Sequence, residues 1–217
     1  MLIGSSNVFS SLNKILHGDS LPDVQVFYSI LAQKAISYWT SIVKQGQIRN
    51  KLPQAWAPPA VGTLKINADS SFKDGGAMAG LVVRNHVGSF TYASTHKHLC
   101  LDSTVAESLA LLDACILLSK LDIKDAVIES DNLIAITSIL SNISESHWNI
   151  NPIIDKIKRF WTGWPNWVFK FAPRSANGAA HALANWALFC NFEGCVPLNL
   201  IPISVFCDLG HPLVNSF

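Results

Sequence analysis

Thr63-Leu64-Lys65-Ile66-Asn67-Ala68-Asp69 alternates apolar and polar side chains, the pattern of a strand whose two faces meet different surroundings. The strand is expected to end on Asp69. Downstream, residues 73–76 form a turn rich in Asp and Gly, 79–84 read as a second strand, 85–88 as a hairpin turn and 89–95 as a third strand. The period then changes. Residues 103–120 contain no Gly or Pro and carry two apolar stripes, so they predict a helix capped by Ser103 or Thr104. Glu107 falls on the second stripe, whereas Asp113 and Lys120 share a narrow face suited to solvent. A strand over 126–131, helices over 133–140 and 152–161, a strand over 167–171 and a helix over 176–188 complete the order βββαβααβα. That order predicts an α/β domain with a mixed five-stranded sheet and helices on both faces.

Outside this block the pattern differs. Residues 1–55 read as a connector segment, with Asp23 capping a helix that runs to about Val43. Trp56-Ala57-Pro58-Pro59 is stiff and extended, because proline disfavours helix in itself and in the residue before it, and it marks a boundary. Residues 56–190 form the domain, and the apolar tail 191–217 is expected to wrap over its surface.

Composition narrows the class. The 217 residues are 49% hydrophobic and 14% charged with a net charge of +1, which supports a large core and excludes a disordered tail or a globally basic nucleic-acid binder. Any nucleic-acid contact must therefore come from a local patch. The five cysteines include no CxxC pair and read as reduced thiols rather than a disulfide framework. His96, His98 and Cys100 alternate along a strand, which either gathers metal ligands on one face or is alternation alone. The start of the chain lacks a secretory signal pattern, and no apolar run reaches the ~20 residues that span a bilayer. An intracellular protein of the nucleus or cytoplasm, neither secreted nor membrane-bound, is the expectation.

Three carboxylates stand out by placement. Asp69 ends a largely apolar strand, Glu107 lies on the covered side of a helix, and Asp131 closes a strand. A buried carboxylate is costly unless it is paired or bound to a cation, and hard oxygen donors without thiolate suit Mg²⁺ or Mn²⁺. Each also has a local explanation. Asp69 suits the start of a turn, Asp131 an N-cap, and Glu107 a capping box with Thr104.

Motifs in sequence order add a resemblance. Trp56-Ala57-Pro58-Pro59 with Leu64-Lys65-Ile66-Asn67-Ala68-Asp69 is similar to the opening of plant ribonuclease H-like domains found beside retrotransposon reverse transcriptases. Ala79-Gly80-Leu81-Val82-Val83-Arg84-Asn85 with Gly88 resembles the next two strands. Ala106-Glu107-Ser108-Leu109-Ala110-Leu111 resembles the first helix, and Ile128-Glu129-Ser130-Asp131-Asn132 the fourth strand. Arg174-Ser175-Ala176-Asn177 with Ala180-His181-Ala182-Leu183-Ala184 resembles the close of the domain.

The resemblance implies a metal-dependent endoribonuclease that cleaves the RNA strand of RNA–DNA hybrids, with two Mg²⁺ ions about 4 Å apart, one activating water and one stabilising the leaving oxygen. Asp69, Glu107 and Asp131 would take the first three ligand positions. His181 would take the fourth, where many ribonucleases H carry Asp and where imidazole favours Mn²⁺; its other reading is a helix histidine hydrogen-bonded to a neighbour such as Asn177. Lys73, Arg84, Asn132, Arg174 and Asn177 are candidates for substrate contact, each set against the reading of a solvated surface residue. Two features depart from the family pattern: Ser70 stands where glycine is common, and the 170–175 loop has no histidine. Those departures leave open a retroelement-derived domain that binds nucleic acid or protein without turnover, or a structural fragment of a polyprotein.

Overall fold

The computed structural model describes residues 55–141, 148–201 and 203–206. The helix expected over 23–43, the connector reading of residues 1–54 and tail residues 202 and 207–217, Cys207 included, lie outside the described residues. Six strands form one sheet: β1 (Leu64–Lys73), β2 (Gly76–Arg84), β3 (Phe90–Leu99), β4 (Ala126–Ser130), β5 (Trp167–Phe171) and β6 (Gly194–Cys195), in the order β5-β4-β1-β2-β3-β6. β1, β2 and β3 run antiparallel in turn, whereas β4 is parallel to β1 and β5 to β4. Among the described residues four α-helices accompany them: α1 (Ser103–Lys120), α2 (Leu133–Leu140), α3 (Asn151–Gly163) and α4 (Gly178–Cys190). The expected α/β class and element order hold.

The differences have local causes. β1 does not stop at Asp69; it pairs with β2 as far as Lys73↔Gly76, because Asp74 and Gly75, at φ 51° and 78°, make a two-residue turn that lets both strands run to its edge. Asp69 therefore sits inside a strand, opposite Gly80. The sixth strand is two residues of the tail pairing with Ser94 and Thr95, too short to show a period. The cap of α1 is Asp102 rather than Ser103 or Thr104: its backbone is extended and its carboxylate accepts from the Val105 N–H at 2.9 Å. The capping box expected for Glu107 is thereby displaced.

The pleat sends alternate residues to opposite sides. Ile66, Ala68, Ala79, Leu81 and Val83 face the apolar core built with α1, α2 and α3. Val82 and Ala93 face the other way, packing with Ala179 and Leu183 of α4 and with Val196, Ile201 and Val205 of the tail. Gly80 sets how closely α4 lies on the sheet. A Cβ there would stand 2.6 Å from both the Ala180 carbonyl oxygen and the Ala184 nitrogen, so only glycine admits the helix backbone at that distance.

Candidate active site

The parallel register Asn67↔Glu129 puts Asp69 and Asp131 level two residues further on, where β4 has ended and β1 continues. Such a point, beyond the carboxyl ends of parallel strands, is where open α/β sheets form crevices. Asp69 is 1% exposed, and its Oδ1 accepts from the Ser70 N–H at 2.7 Å. Its Oδ2 is buried without a hydrogen-bond partner, although His181 Nδ1 lies 3.0 Å away, close enough for an ion pair but not aligned for a hydrogen bond. Burial first, and then the neighbouring Asp131, push the Asp69 carboxyl from its ordinary 3.8 up to about 7, and Glu107 adds in the same direction. Glu107, half-buried on α1, is likewise raised from 4.5 to about 7 by burial and then by Asp131. The three carboxylates thus lie close enough to feel one another's charge, from a strand, a helix and a strand end.

His181 reaches the cluster because Gly80 lets α4 sit tight on the sheet. Asn185, one turn on, accepts from Ser71 Oγ through Oδ1 and donates to His181 Nε2, both at 2.8 Å. Arg174 donates to Asp131 Oδ2 at 3.3 Å and approaches the imidazole to 2.9 Å at Nδ1 and 2.7 Å at Nε2. Burial and then the Arg174 charge hold His181 below its ordinary value, so the ring is neutral at pH 7 and keeps a lone pair. The neighbour that bonds the imidazole on its own helix is Asn185 rather than Asn177, whose carbonyl accepts only from the His181 backbone N–H, at 3.1 Å. Among the described residues no three Asp, Glu, His or Cys side chains stand near enough to hold one ion as placed.

The remaining candidates separate clearly. Lys73 is exposed at the tip of the β1–β2 hairpin and Arg174 is exposed beside Asp131, so both can reach a ligand. Three others are buried, which corrects the surface reading. Arg84 is fully buried, with its guanidinium 3.8 Å from the Trp56 ring and donating to Asn67 Oδ1 at 3.0 Å. Asn132 is 5% exposed and caps α2 by accepting from the Ala135 N–H. Asn177 is fully buried and donates to Asp131 Oδ1 at 3.0 Å. The alternating His96, His98 and Cys100 gather no metal site. His98 pairs with Asp113 at 2.6 Å, a contact that raises its proton affinity and takes Asp113 off the solvent face, and His96 meets Ser94 at 3.2 Å. Cys100, Cys115, Cys190 and Cys195 are free thiols.

Residues not singled out by sequence lie just behind the cluster. Asn67 is buried among Trp56, Arg84, Glu129 and Asn177, and Glu129 pairs with Lys65 at 2.6 Å. Their signal was the run of polar residues on alternate positions of β1, which a half-solvated strand would show equally.

A family model described as reverse transcriptase-like matches residues 67–187. The chain belongs to the reverse transcriptase-like family. The matched span runs from Asn67 to Ala187 and takes in all four site residues. Solved ribonuclease H structures share the fold of this reverse transcriptase-like domain. Ribonuclease H1 of the halophilic archaeon Halobacterium salinarum NRC-1 superposes with a TM-score of 0.55 at 19% identity, over 59% of this chain and 98% of that one. The N-terminal ribonuclease H domain of Rv2228c from Mycobacterium tuberculosis gives 0.54 at 21% identity, over 60% and 96%. LC11-RNase H1, isolated from compost by a metagenomic approach and solved with an RNA/DNA hybrid, gives 0.54 at 21%, over 59% and 98%. Among curated proteins none matches the chain. The ribonuclease H resemblance drawn from the motifs is borne out. No helix among the described residues is long and apolar enough to cross a membrane.

Proposed function

We propose that this chain is a divalent-metal-dependent endoribonuclease that cleaves the RNA strand of RNA–DNA hybrids. One observation carries the reading: three carboxylates lie close enough to feel one another's charge, two of them raised to about 7, while a buried oxygen of Asp69 has no hydrogen-bond partner. A fold does not keep such an arrangement for stability, and a hard cation is the partner that would relieve it. Asp69, Glu107 and Asp131 would hold Mg²⁺, and neutral His181 would be the fourth donor, which also suits Mn²⁺. When bound, the metal would supply a nucleophile at neutral pH and charge stabilisation at phosphorus. Lys73 and Arg174 would meet backbone phosphates, and Arg174 would give up Asp131 when a cation enters. The hybrid seen with LC11-RNase H1 supports the substrate class; a retroelement-derived domain of the plant type over residues 56–190, working in the nucleus or cytoplasm, is part of the same proposal. A labelled hybrid incubated with the full chain and Mg²⁺ or Mn²⁺ should be cut in its RNA strand. Asp69→Asn should lower the rate by more than the about 100-fold that a merely supporting residue costs. Cleavage unchanged in that variant sinks the proposal.

A second reading, a hybrid-binding domain without turnover, draws on Arg174. Its guanidinium already lies against Asp131 and His181, and among the described residues no three donors stand preassembled. Tight Mn²⁺ binding by calorimetry, lost in Asp69→Asn, would count against it.

A further inference from the structure

We propose that Asn177 is a positioning residue for Asp131, and that its orientation is set by the Ala68 carbonyl and, through Asn67, by Arg84 together with Trp56, a residue outside the sheet. The inference rests on the metal-site reading of Asp131 for its consequence, but its geometry stands apart from it.

Hydrogen-bond polarity fixes the network. An indole N–H and a guanidinium can only donate. Trp56 Nε1 and Arg84 Nη2 both point at one atom of Asn67, each at 3.0 Å, so that atom must be the amide oxygen. Turning the amide over would set three donors against one another inside a buried network. The Asn67 nitrogen must therefore face the other way, where Glu129 Oε2 and Asn177 Oδ1 accept at 3.2 Å and 3.1 Å. That fixes Asn177 in turn. Its oxygen is used, and its nitrogen donates to the Ala68 carbonyl at 3.1 Å and to Asp131 Oδ1 at 3.0 Å. Every link runs in one direction, from the donor-only groups to the carboxylate. Asp131 Oδ1 is held from the buried side, which leaves Oδ2 toward the open side, where Arg174 meets it.

Lys65 anchors the same chain from its flank. Its ammonium donates to the Ala57 carbonyl at 2.7 Å and pairs with Glu129 at 2.6 Å, tying the segment beside Trp56 to the acceptor of Asn67. The stretch that reads in sequence as a stiff linker is thus wired to the site.

The test uses the full chain and three variants. Trp56→Phe keeps the ring over Arg84 and removes one donor. Asn67→Asp keeps the acceptor and removes the donor to Asn177. Asn177→Asp replaces the donor to Asp131. In metal-free protein, Trp56→Phe should shift the Asn177 side-chain amide resonances. In Mn²⁺ titrations of folded protein, affinity should fall by about tenfold in Asn177→Asp and by less in Asn67→Asp and Trp56→Phe, in that order. A purely structural role would lower the melting temperature and leave the affinity of the folded fraction alone. Unshifted Asn177 resonances in Trp56→Phe overturn the chain, whatever the metal does. Wild-type affinity in Asn177→Asp overturns the positioning role; should that variant not fold, wild-type affinity in Asn67→Asp does so instead. If Mn²⁺ binding by the wild type is itself insensitive to Asp69→Asn, the metal reading falls, and the Asn177 resonances still decide the chain.

Discussion

The two faces of β1 are equally dry and chemically opposite. Ile66 and Ala68 enter an apolar core in which nothing needs a partner beyond contact. Lys65, Asn67 and Asp69, on the alternate positions, are 7%, 0% and 1% exposed, yet each carries a group that water would hold more cheaply. The first two are compensated, Lys65 by Glu129 and a carbonyl, and Asn67 by four hydrogen-bond partners. Asp69 is compensated at one oxygen only. One strand therefore moves from pure packing, through satisfied polarity, to a charge left partly unanswered, and the unanswered end belongs to the carboxylate cluster. Stability and function divide along alternate residues of a single element.

Substitution should divide the same way. Ile66→Ala removes buried apolar volume and should cost about 2–5 kcal/mol in denaturant unfolding, with Mn²⁺ affinity of the folded protein unchanged. Asp69→Asn should do the reverse. Losing a buried charge with an unmet oxygen should stabilise the metal-free protein at neutral pH by about 1 kcal/mol while metal binding disappears. Two losses of stability in place of this opposition would break the comparison.

Gly80 joins the faces and gives a sharper, smaller test. Gly80→Ala places a Cβ against backbone rather than against a yielding side chain, so α4 must lift. A cost of about 1–3 kcal/mol is expected, together with weaker Mn²⁺ binding because His181 rides on that helix. Gly163→Ala, at a position where a Cβ meets nothing within 4 Å, should leave Mn²⁺ affinity and cleavage as they are. Equal effects of the two substitutions on Mn²⁺ affinity would remove the link between Gly80 and the site.

Much of this was legible in the sequence, for reasons that also mark where legibility stopped. The apolar alternation of β1 and the long uninterrupted helix around Glu107 announce elements because burial repeats with the period of the backbone. Asp69, Glu107 and Asp131 were legible as a set because charge inside apolar runs demands an explanation. The extension of β1 past Asp69 was not, since Ser70-Ser71 carries no apolar signal and the turn at Asp74-Gly75 decides it. Nor was the interior position of Arg84 and Asn177. A polar residue looks the same whether it faces water or a buried partner 110 residues away, as Asn67 and Asn177 show. β6 exists only through its partner strand. Trp56 illustrates the same limit, because its role lies in what its N–H reaches.

The smallest effect comes from the protons on the cluster. Unfolded, Asp69 and Glu107 lose theirs near 3.8 and 4.5, whereas the folded protein keeps them to about 7. Between those values the folded state binds more protons, so the stability of the metal-free protein should fall as pH rises through that window and level off above about pH 7. His98, raised by its hydrogen bond to Asp113, adds a loss of the same sign above 6.5, and His181, lowered mainly by burial, contributes oppositely just below it. Both persist in Asp69→Asn, so the difference between wild type and that variant isolates the carboxylate. Melting temperatures at about pH 5 and pH 8 should show the wild type losing about 2–4 °C more than the variant, the equivalent of about 1 kcal/mol. Saturating Mg²⁺ should erase that difference in slope, because a cation binds the deprotonated cluster best and stabilises only the folded state. A wild type that gains stability over this range relative to Asp69→Asn would mean that Asp69 is ionised and well partnered in the folded protein, and the unanswered end of β1 would then be no different from its satisfied middle.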